Sequence, residues 1–149
     1  MSGVLVVAAH PDDEVLGCGG TIARHADSGD QVQVLIVAEG STSRLQERDR
    51  LRFRDELSAL SKAAQSAGSI LGAAGVELLD LPDNRLDSLD RLELIKRIEE
   101  CVERHQPEFV YAHHAGDVNV DHRRLHEAVV TACRPTPGHV VKRLLSFEV

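Results

Sequence analysis

The chain has 149 residues, a length that fits one compact domain, and its 42% hydrophobic and 28% charged residues are the balance of an ordinary soluble protein. Its net charge of -7 argues against binding to nucleic acid or to an anionic membrane, because an acidic surface repels phosphate groups. No apolar run approaches the roughly 18 residues that span a bilayer, and the three widely spaced cysteines indicate a reducing compartment, so we expect a cytoplasmic protein without a transmembrane segment.

The first half of the chain alternates strands with helices. Residues 4–9 and 32–38 are continuous apolar runs, which are typical of strands covered on both faces of a parallel sheet. Helices are expected over residues 17–28 and from 45 to about 71, and the glycines at the start of the first helix would let it pack tightly on the sheet. The arginines at 48, 50, 52 and 54 are interpreted as a solvated side of the second helix, with an anion site as the alternative.

The second half continues the same alternation. A third strand is expected at 76–81, an amphipathic helix at 88–105 with Ser88 as its N-cap, a fourth strand at 109–112, a helix from about 122 to 133, and a last strand at 140–149. This order predicts an α/β sandwich with a mostly parallel sheet, in a single domain over residues 1–149. Because the last stretch is apolar and no covering element follows it, one interpretation is a C-terminally truncated form of a longer protein.

Polar segments follow four of these strands, at His10, Glu39, Asp83 and His113. In parallel sheets, ligands bind outside the carboxyl ends of the strands. These four loops are therefore where a functional site is expected.

The richest of them is Ala9-His10-Pro11-Asp12-Asp13-Glu14. Catalytic zinc takes three protein ligands, largely imidazole nitrogens and carboxylate oxygens, and keeps one position for water. His10 and Asp13 can converge on one ion across a strand-to-helix turn, which leaves Asp12 free to accept a proton from water. The alternative is that these acids only cap the following helix. A third ligand is expected from the histidine-rich segment 113–126, where His122, His126 or both could reach the metal.

Four motifs in order give the sequence a specific resemblance. AHPDDE follows the first strand, EGSTSR the second and PDNRLDS the third, and GDVNVDHRRLHEAV lies near the end. Together they resemble the LmbE-like (phosphatidylinositol-glycan class L) deacetylase family over nearly the whole chain. The resemblance implies a Rossmann-like three-layer sandwich and zinc-dependent removal of N-acetyl groups from amino sugars and their conjugates.

The resemblance also implies roles for individual residues. Zinc would bind to His10, Asp13 and His122, and Asp12 would act as the general base. Arg44 and Asp83 match loop positions that resemble substrate-contacting ones.

Asn119 departs from the family pattern. Many members have a histidine three residues before the last metal ligand, where it aids the tetrahedral intermediate or the leaving amine. Asn119 can donate a hydrogen bond to an oxyanion, but it cannot deliver a proton. His114, Asp117 and His126 are the candidate replacements.

The expected function is thus metal-assisted hydrolysis of an acetamide, with a small N-acetylated sugar or glycoconjugate as substrate and a homo-oligomer as a possible assembly. One rival uses the same ligands to hold Fe(II) for another reaction. The other rival is a non-catalytic or truncated relative that binds metal or sugar, which the asparagine at 119 and the end of the chain at 149 favour.

Overall fold

A computed structural model describes all 149 residues, and five of its segments form one sheet. The strands are β1 (Gly3–Ala8), β2 (Gln31–Ala38), β3 (Gly75–Leu81), β4 (Phe109–His113) and β5 (Arg143–Phe147). The helices are α1 (Asp13–Asp27), α2 (Arg54–Ile70), α3 (Arg91–His105) and α4 (Val120–Ala132). Neighbouring strands all run parallel, in the order β3-β2-β1-β4-β5. The predicted α/β fold with a parallel sheet is confirmed.

Alternate residues of β1 and of the position that follows it contribute to two separate cores, one on each face of the sheet. Val4, Val6 and Ala8 pack with buried residues of α1 and α2, including Ile22 and Ala64. On the other face, Leu5, Val7 and Ala9 pack with buried residues of α3 and α4, namely Leu94, Ile95, Ile98, Leu125, Ala128 and Val129. Helices therefore cover both faces, which explains why the central strands read as continuous apolar runs. None of the helices is long and apolar enough to cross a membrane.

The strand order places β1 at the centre of the sheet, between β2 and β4. The chain leaves β1 toward β2 on one side, and β4 is added later on the other side. The loops after β1 and β4 consequently diverge and leave a crevice at the carboxyl ends of these strands, the usual ligand position in such sheets.

The second helix is shorter than the sequence pattern predicts, because α2 begins at Arg54 and residues 45–53 form turns. Arg48 lies beside the buried carboxylate of Glu39, with Nε 2.7 Å from Oε1 and Nη2 2.8 Å from Oε2. Arg50 adds an Nε contact of 2.8 Å to the same carboxylate. The arginine side chains are exposed, as expected of a solvated run, but the prediction that residues 48 and 50 lie on a helix was wrong, because ion pairs with Glu39 hold this segment in a non-helical path.

Two other helices begin where a polar side chain caps them. Asp90, rather than Ser88, caps α3 by accepting the N–H of Leu92. Asn119 caps α4 by accepting the N–H of Asp121, so this helix starts two residues earlier than predicted.

Candidate metal centre

The turn after β1 brings its polar residues together through local hydrogen bonds. The backbone N–H groups of Asp12 and Asp13 donate to the carbonyl of His10 at 2.9 and 3.2 Å. Asp13 in turn accepts the backbone N–H of His10 with Oδ2, at 2.9 Å. Because α1 starts at Asp13, its carboxylate also lies at a helix N-terminus, where negative charge is favoured.

Glu14, which has no predicted role, supports this turn. Its side chain is 3% exposed, and Oε2 accepts the backbone N–H of Asp12 at 2.9 Å. Burial raises the pKa of the Glu14 carboxyl. Glu14 therefore fixes the backbone from which Asp12 projects.

His10, Asp13 and His122 place three donor atoms at the corners of a nearly equilateral triangle. His10 Nδ1 lies 3.2 Å from Asp13 Oδ2, His122 Nε2 lies 3.1 Å from the same oxygen, and the two nitrogens are 3.3 Å apart. For bonds of about 2.0–2.1 Å, tetrahedral zinc requires ligand atoms about 3.3 Å apart. The donor types and their spacing therefore fit a zinc ion with a fourth position left open.

The second nitrogen of each histidine in this triangle is held by a carboxylate. His10 Nε2 lies 2.9 Å from Asp121 Oδ2, and His122 Nδ1 lies 2.8 Å from Asp117 Oδ2. Asp121 is fully buried and also accepts the backbone N–H groups of Asn84 and Leu86. Carboxylates in this position fix the tautomer and the orientation of metal-binding imidazoles.

The charges around the triangle favour a cation. Burial disfavours a charged imidazole at position 10, but hydrogen bonds to Asp121 and Asp13 outweigh it and raise the pKa of His10 to about 10. Burial also opposes ionisation of Asp13, yet hydrogen bonds from the surrounding imidazoles hold its pKa far below the ordinary value. Without metal, a proton on an imidazole supplies the positive charge that these carboxylates stabilise.

His113, the last residue of β4, packs against the back of this centre. It is fully buried, and its ring stacks on His122 with centroids 3.8 Å apart. Nε2 accepts the backbone N–H of Ala9 at 2.9 Å, which places the ring proton on Nδ1, and Nδ1 has no hydrogen-bond partner. Burial lowers the pKa of His113, so its ring is neutral and packs against the ring of His122, a proposed metal ligand.

Asp12 lies at the exposed side of the turn. Burial of part of the side chain and the nearby charge of Asp13 raise the pKa of its carboxyl, which favours proton uptake. An apolar groove of about 400 Å³ opens directly beside it, between the start of α1 and the α2 residues Leu60, Ala63 and Ala67.

Asn119 lies at the start of α4, where both the oxygen and the nitrogen of its side-chain amide make hydrogen bonds. Oδ1 accepts the N–H of Asp121 at 2.8 Å, and Nδ2 donates to Asn84 Oδ1 at 3.0 Å. Among its candidate replacements, Asp117 binds His122 and His126 Nδ1 lies 2.8 Å from the carbonyl of His113.

His114, the remaining candidate, is exposed, and its Nδ1 accepts the N–H of Gly116.

The structure brings Asp83 to the centre and leaves Arg44 at its rim. Asp83 is 4% exposed, with Oδ1 3.4 Å from His10 Nε2 and Oδ2 accepting the N–H of Ser43. The side chain of Arg44 is 69% exposed and pairs with Glu56 at 3.2 Å. Asp83 is thus buried beside His10, whereas the exposed Arg44 pairs with Glu56 and contacts no residue of the triangle.

Comparison with known proteins gives the centre a family context. Residues 5–133 match the family described as PIG-L, GlcNAc-PI de-N-acetylase. The chain is 29% identical to the uncharacterized deacetylase YaiS of Escherichia coli K12, over 98% of this chain and 73% of YaiS. It is 34% identical to the 4-oxalmesaconate hydratase of Pseudomonas putida, over 79% of this chain and 46% of the hydratase.

The structure of N,N'-diacetylchitobiose deacetylase from Pyrococcus horikoshii superposes with a TM-score of 0.75 and 26% identity, over 87% of this chain and 48% of that chain. This chain thus spans about half the length of the hydratase and of the chitobiose deacetylase.

Proposed function

The chain belongs to the PIG-L (GlcNAc-PI de-N-acetylase) family, and from this premise we propose that it is a zinc-dependent hydrolase that removes the N-acetyl group from an amino sugar or its conjugate. The observation that supports this proposal best is the triangle of donor atoms from His10, Asp13 and His122, whose edges measure 3.1 to 3.3 Å. Asp12, the proposed base, directly precedes the proposed ligand Asp13 in the chain. The donor set suits zinc, and the spacing suits tetrahedral coordination.

In this proposal His10 Nδ1, Asp13 Oδ2 and His122 Nε2 would hold a zinc ion, which would supply Lewis-acid chemistry toward water and the acetamide carbonyl. Both imidazoles would bind it as neutral rings, and each would give its remaining N–H to a carboxylate, Asp121 for His10 and Asp117 for His122.

Asp12 accepts the proton that the attacking water loses. The raised pKa of its carboxyl makes it a stronger base than an ordinary aspartate and lets it return the proton to the departing amine nitrogen. The products are acetate and a free amine. Asn119 has one further N–H to offer an oxyanion, because only one hydrogen of Nδ2 is used on Asn84.

A panel of N-acetylhexosamines, free and linked to nucleotide or lipid, tests the proposal. The protein is freed of metal, loaded with zinc or with Fe(II) in parallel, and assayed for acetate release. We expect stoichiometric acetate and free amine from at least one sugar with zinc, and a release that is slower by about 10²- to 10⁴-fold after Asp12→Asn. Sugar binding without acetate release by the zinc-loaded protein would instead support the non-catalytic alternative.

A second candidate is addition of water to a carbon–carbon double bond, favoured by the 34% identity to the 4-oxalmesaconate hydratase over 122 residues. The same proton-accepting Asp12 could serve that reaction. An unsaturated hydroxy-acid substrate consumed by this protein, with no acetate from any N-acetyl sugar, would select hydration.

A further inference from the structure

A second group of potential metal ligands lies between β3 and α3, away from the carboxyl ends of the strands. Glu77 is the third residue of β3, and Cys101 and His105 lie one helical turn apart near the end of α3. A nitrogen of His105, the sulfur of Cys101 and an oxygen of Glu77 all lie within 4.8 Å of one another. No residue of this group belongs to the centre described above.

One residue of this group is buried and held in place by the core, whereas the other two are partly exposed and can change their side-chain positions. Cys101 is 2% exposed and fixed within the core, whereas His105 is half-buried and the side chain of Glu77 is 36% exposed. Small rotations of the two outer side chains would bring the three donors to the separations of about 3.3 to 3.7 Å that zinc–sulfur and zinc–nitrogen bonds require.

Neighbouring side chains and burial affect the three donor groups. Arg104 donates to Glu77 Oε2 at 2.7 Å, and the other oxygen of this carboxylate makes no side-chain hydrogen bond. Burial and the neighbouring Arg104 lower the pKa of His105, whereas burial and the charge of Glu77 raise the pKa of the Cys101 thiol to about 11, so this thiol must give up its proton when it binds a metal.

We propose that Glu77, Cys101 and His105 form a second metal site, which binds a zinc ion through one carboxylate, one imidazole and one thiolate. Binding displaces the thiol proton of Cys101 to solvent, and the thiolate and carboxylate together neutralise the two charges of the ion. The bound ion ties the end of α3 to β3, which is an edge strand of the sheet. Because only the folded chain assembles this donor set, zinc at this site stabilises the fold.

The other two cysteines provide an internal contrast. Cys18 and Cys133 are also buried, at 2% and 7% exposure, but neither belongs to a cluster of metal-ligating side chains. A small apolar role explains them fully.

Cobalt(II) is the probe that separates this site from the proposed catalytic one. The His10–Asp13–His122 triangle contains no sulfur, so a near-ultraviolet thiolate-to-cobalt charge-transfer band reports only a cysteine site. We expect this band in the full-length protein titrated with cobalt, and we expect zinc to abolish it by displacement.

Single-residue variants test which cysteine gives rise to the charge-transfer band. Cys101→Ala should remove it, while Cys18→Ala and Cys133→Ala should keep it. His105→Gln changes a half-buried surface residue and should keep the fold and the acetate-releasing activity, while it weakens cobalt binding at this site by about tenfold or more. The proposal is overturned if saturating cobalt gives no band, if the band survives Cys101→Ala, or if His105→Gln leaves the affinity unchanged.

Discussion

Asp121 is the residue whose replacement probes the proposed centre most sharply without removing a ligand. Its carboxylate accepts three N–H groups: those of His10 Nε2 at 2.9 Å, Asn84 at 2.7 Å and Leu86 at 2.9 Å. Asp121→Asn keeps the size but turns one oxygen into an NH₂ donor. If the remaining oxygen stays with Leu86, the NH₂ group faces His10, whose ring must then move its proton to Nδ1 and loses the lone pair that binds metal.

The expected loss follows from what such supporting contacts contribute. Removing a carboxylate that orients a metal-binding histidine typically costs about 10- to 100-fold in metal affinity, or about 1.4 to 2.7 kcal/mol. The variant also leaves a buried N–H without its acceptor, which costs about 1 to 3 kcal/mol of folding free energy. Affinity is therefore to be measured well below the melting temperature of the variant.

The assay is zinc competition against a chromophoric chelator, with acetate release followed in the same samples. Asp121→Asn should bind zinc more weakly, and saturating zinc should restore part of the activity, which a merely unfolded variant could not show. Asp83→Asn is the matched control, because its Oδ1 also faces His10 Nε2 but lies 3.4 Å away, farther than the 2.9 Å of Asp121 Oδ2. It should weaken zinc binding less than Asp121→Asn does. Wild-type zinc affinity in Asp121→Asn would show that Asp121 does not orient His10 for metal binding.

Three further predictions concern the base, a buried ion pair and helix packing. Asp12→Asn should keep its zinc, measured by elemental analysis, and lose about 10²- to 10⁴-fold in kcat; loss of the metal would contradict the division of roles. Burial opposes ionisation of Glu39, but hydrogen bonds from its arginine and threonine partners hold its pKa below the ordinary 4.5. Its contribution to stability is thus present above pH 4.5 and lost as the pH falls through the lower folded-state pKa, so Glu39→Gln should cost about 1.5 to 3 kcal/mol in urea unfolding at pH 7. The difference from wild type should shrink in acid, and a pH-independent difference would exclude this cause. Gly17→Ala would place a methyl group in overlap with Phe147 Cδ2 and 2.8 Å from Cε2, and should lower the melting temperature, at a cost of about 1 to 3 kcal/mol. Gly20→Ala in the same helix meets nothing within 4 Å and should raise it; equal effects of the two changes would count against the packing argument.

The sheet could be predicted from the sequence because each strand is a local pattern. The apolar runs of β1 and β2 need no long-range information, and the polar residues that follow them mark the carboxyl edge of the sheet. His10 and Asp13 were predictable for the same reason, since both lie in one short turn. Their convergence in the structure agrees with that expectation, while their role as ligands stays a prediction.

The residues that support the proposed ligands were harder to predict from the sequence, because their hydrogen-bond partners are far away along the chain. Asp121 contacts His10 across 111 positions, and only the docking of α4 reveals that contact. A helix start predicted at His122 left Asp121 in a loop, although Asn119 is a good N-cap and would have signalled the earlier start. His113 had a signal as well, as a histidine directly after an apolar strand. Residues 45–53 were predicted as helix because helix propensity takes no account of tertiary contacts such as the ion pair between Arg48 and Glu39.

The decisive test of zinc-dependent deacetylation is a titration of metal-free protein with zinc, while acetate release from an N-acetylhexosamine conjugate is followed. The His105→Gln variant is used so that the site near Cys101 competes less for zinc. Activity should rise linearly to a plateau at one zinc per chain, and a further His122→Ala change should abolish acetate release and the zinc binding that accompanies it. Full acetate release from the metal-free protein, or zinc-dependent activity that survives His122→Ala, would contradict zinc-dependent deacetylation at the proposed centre.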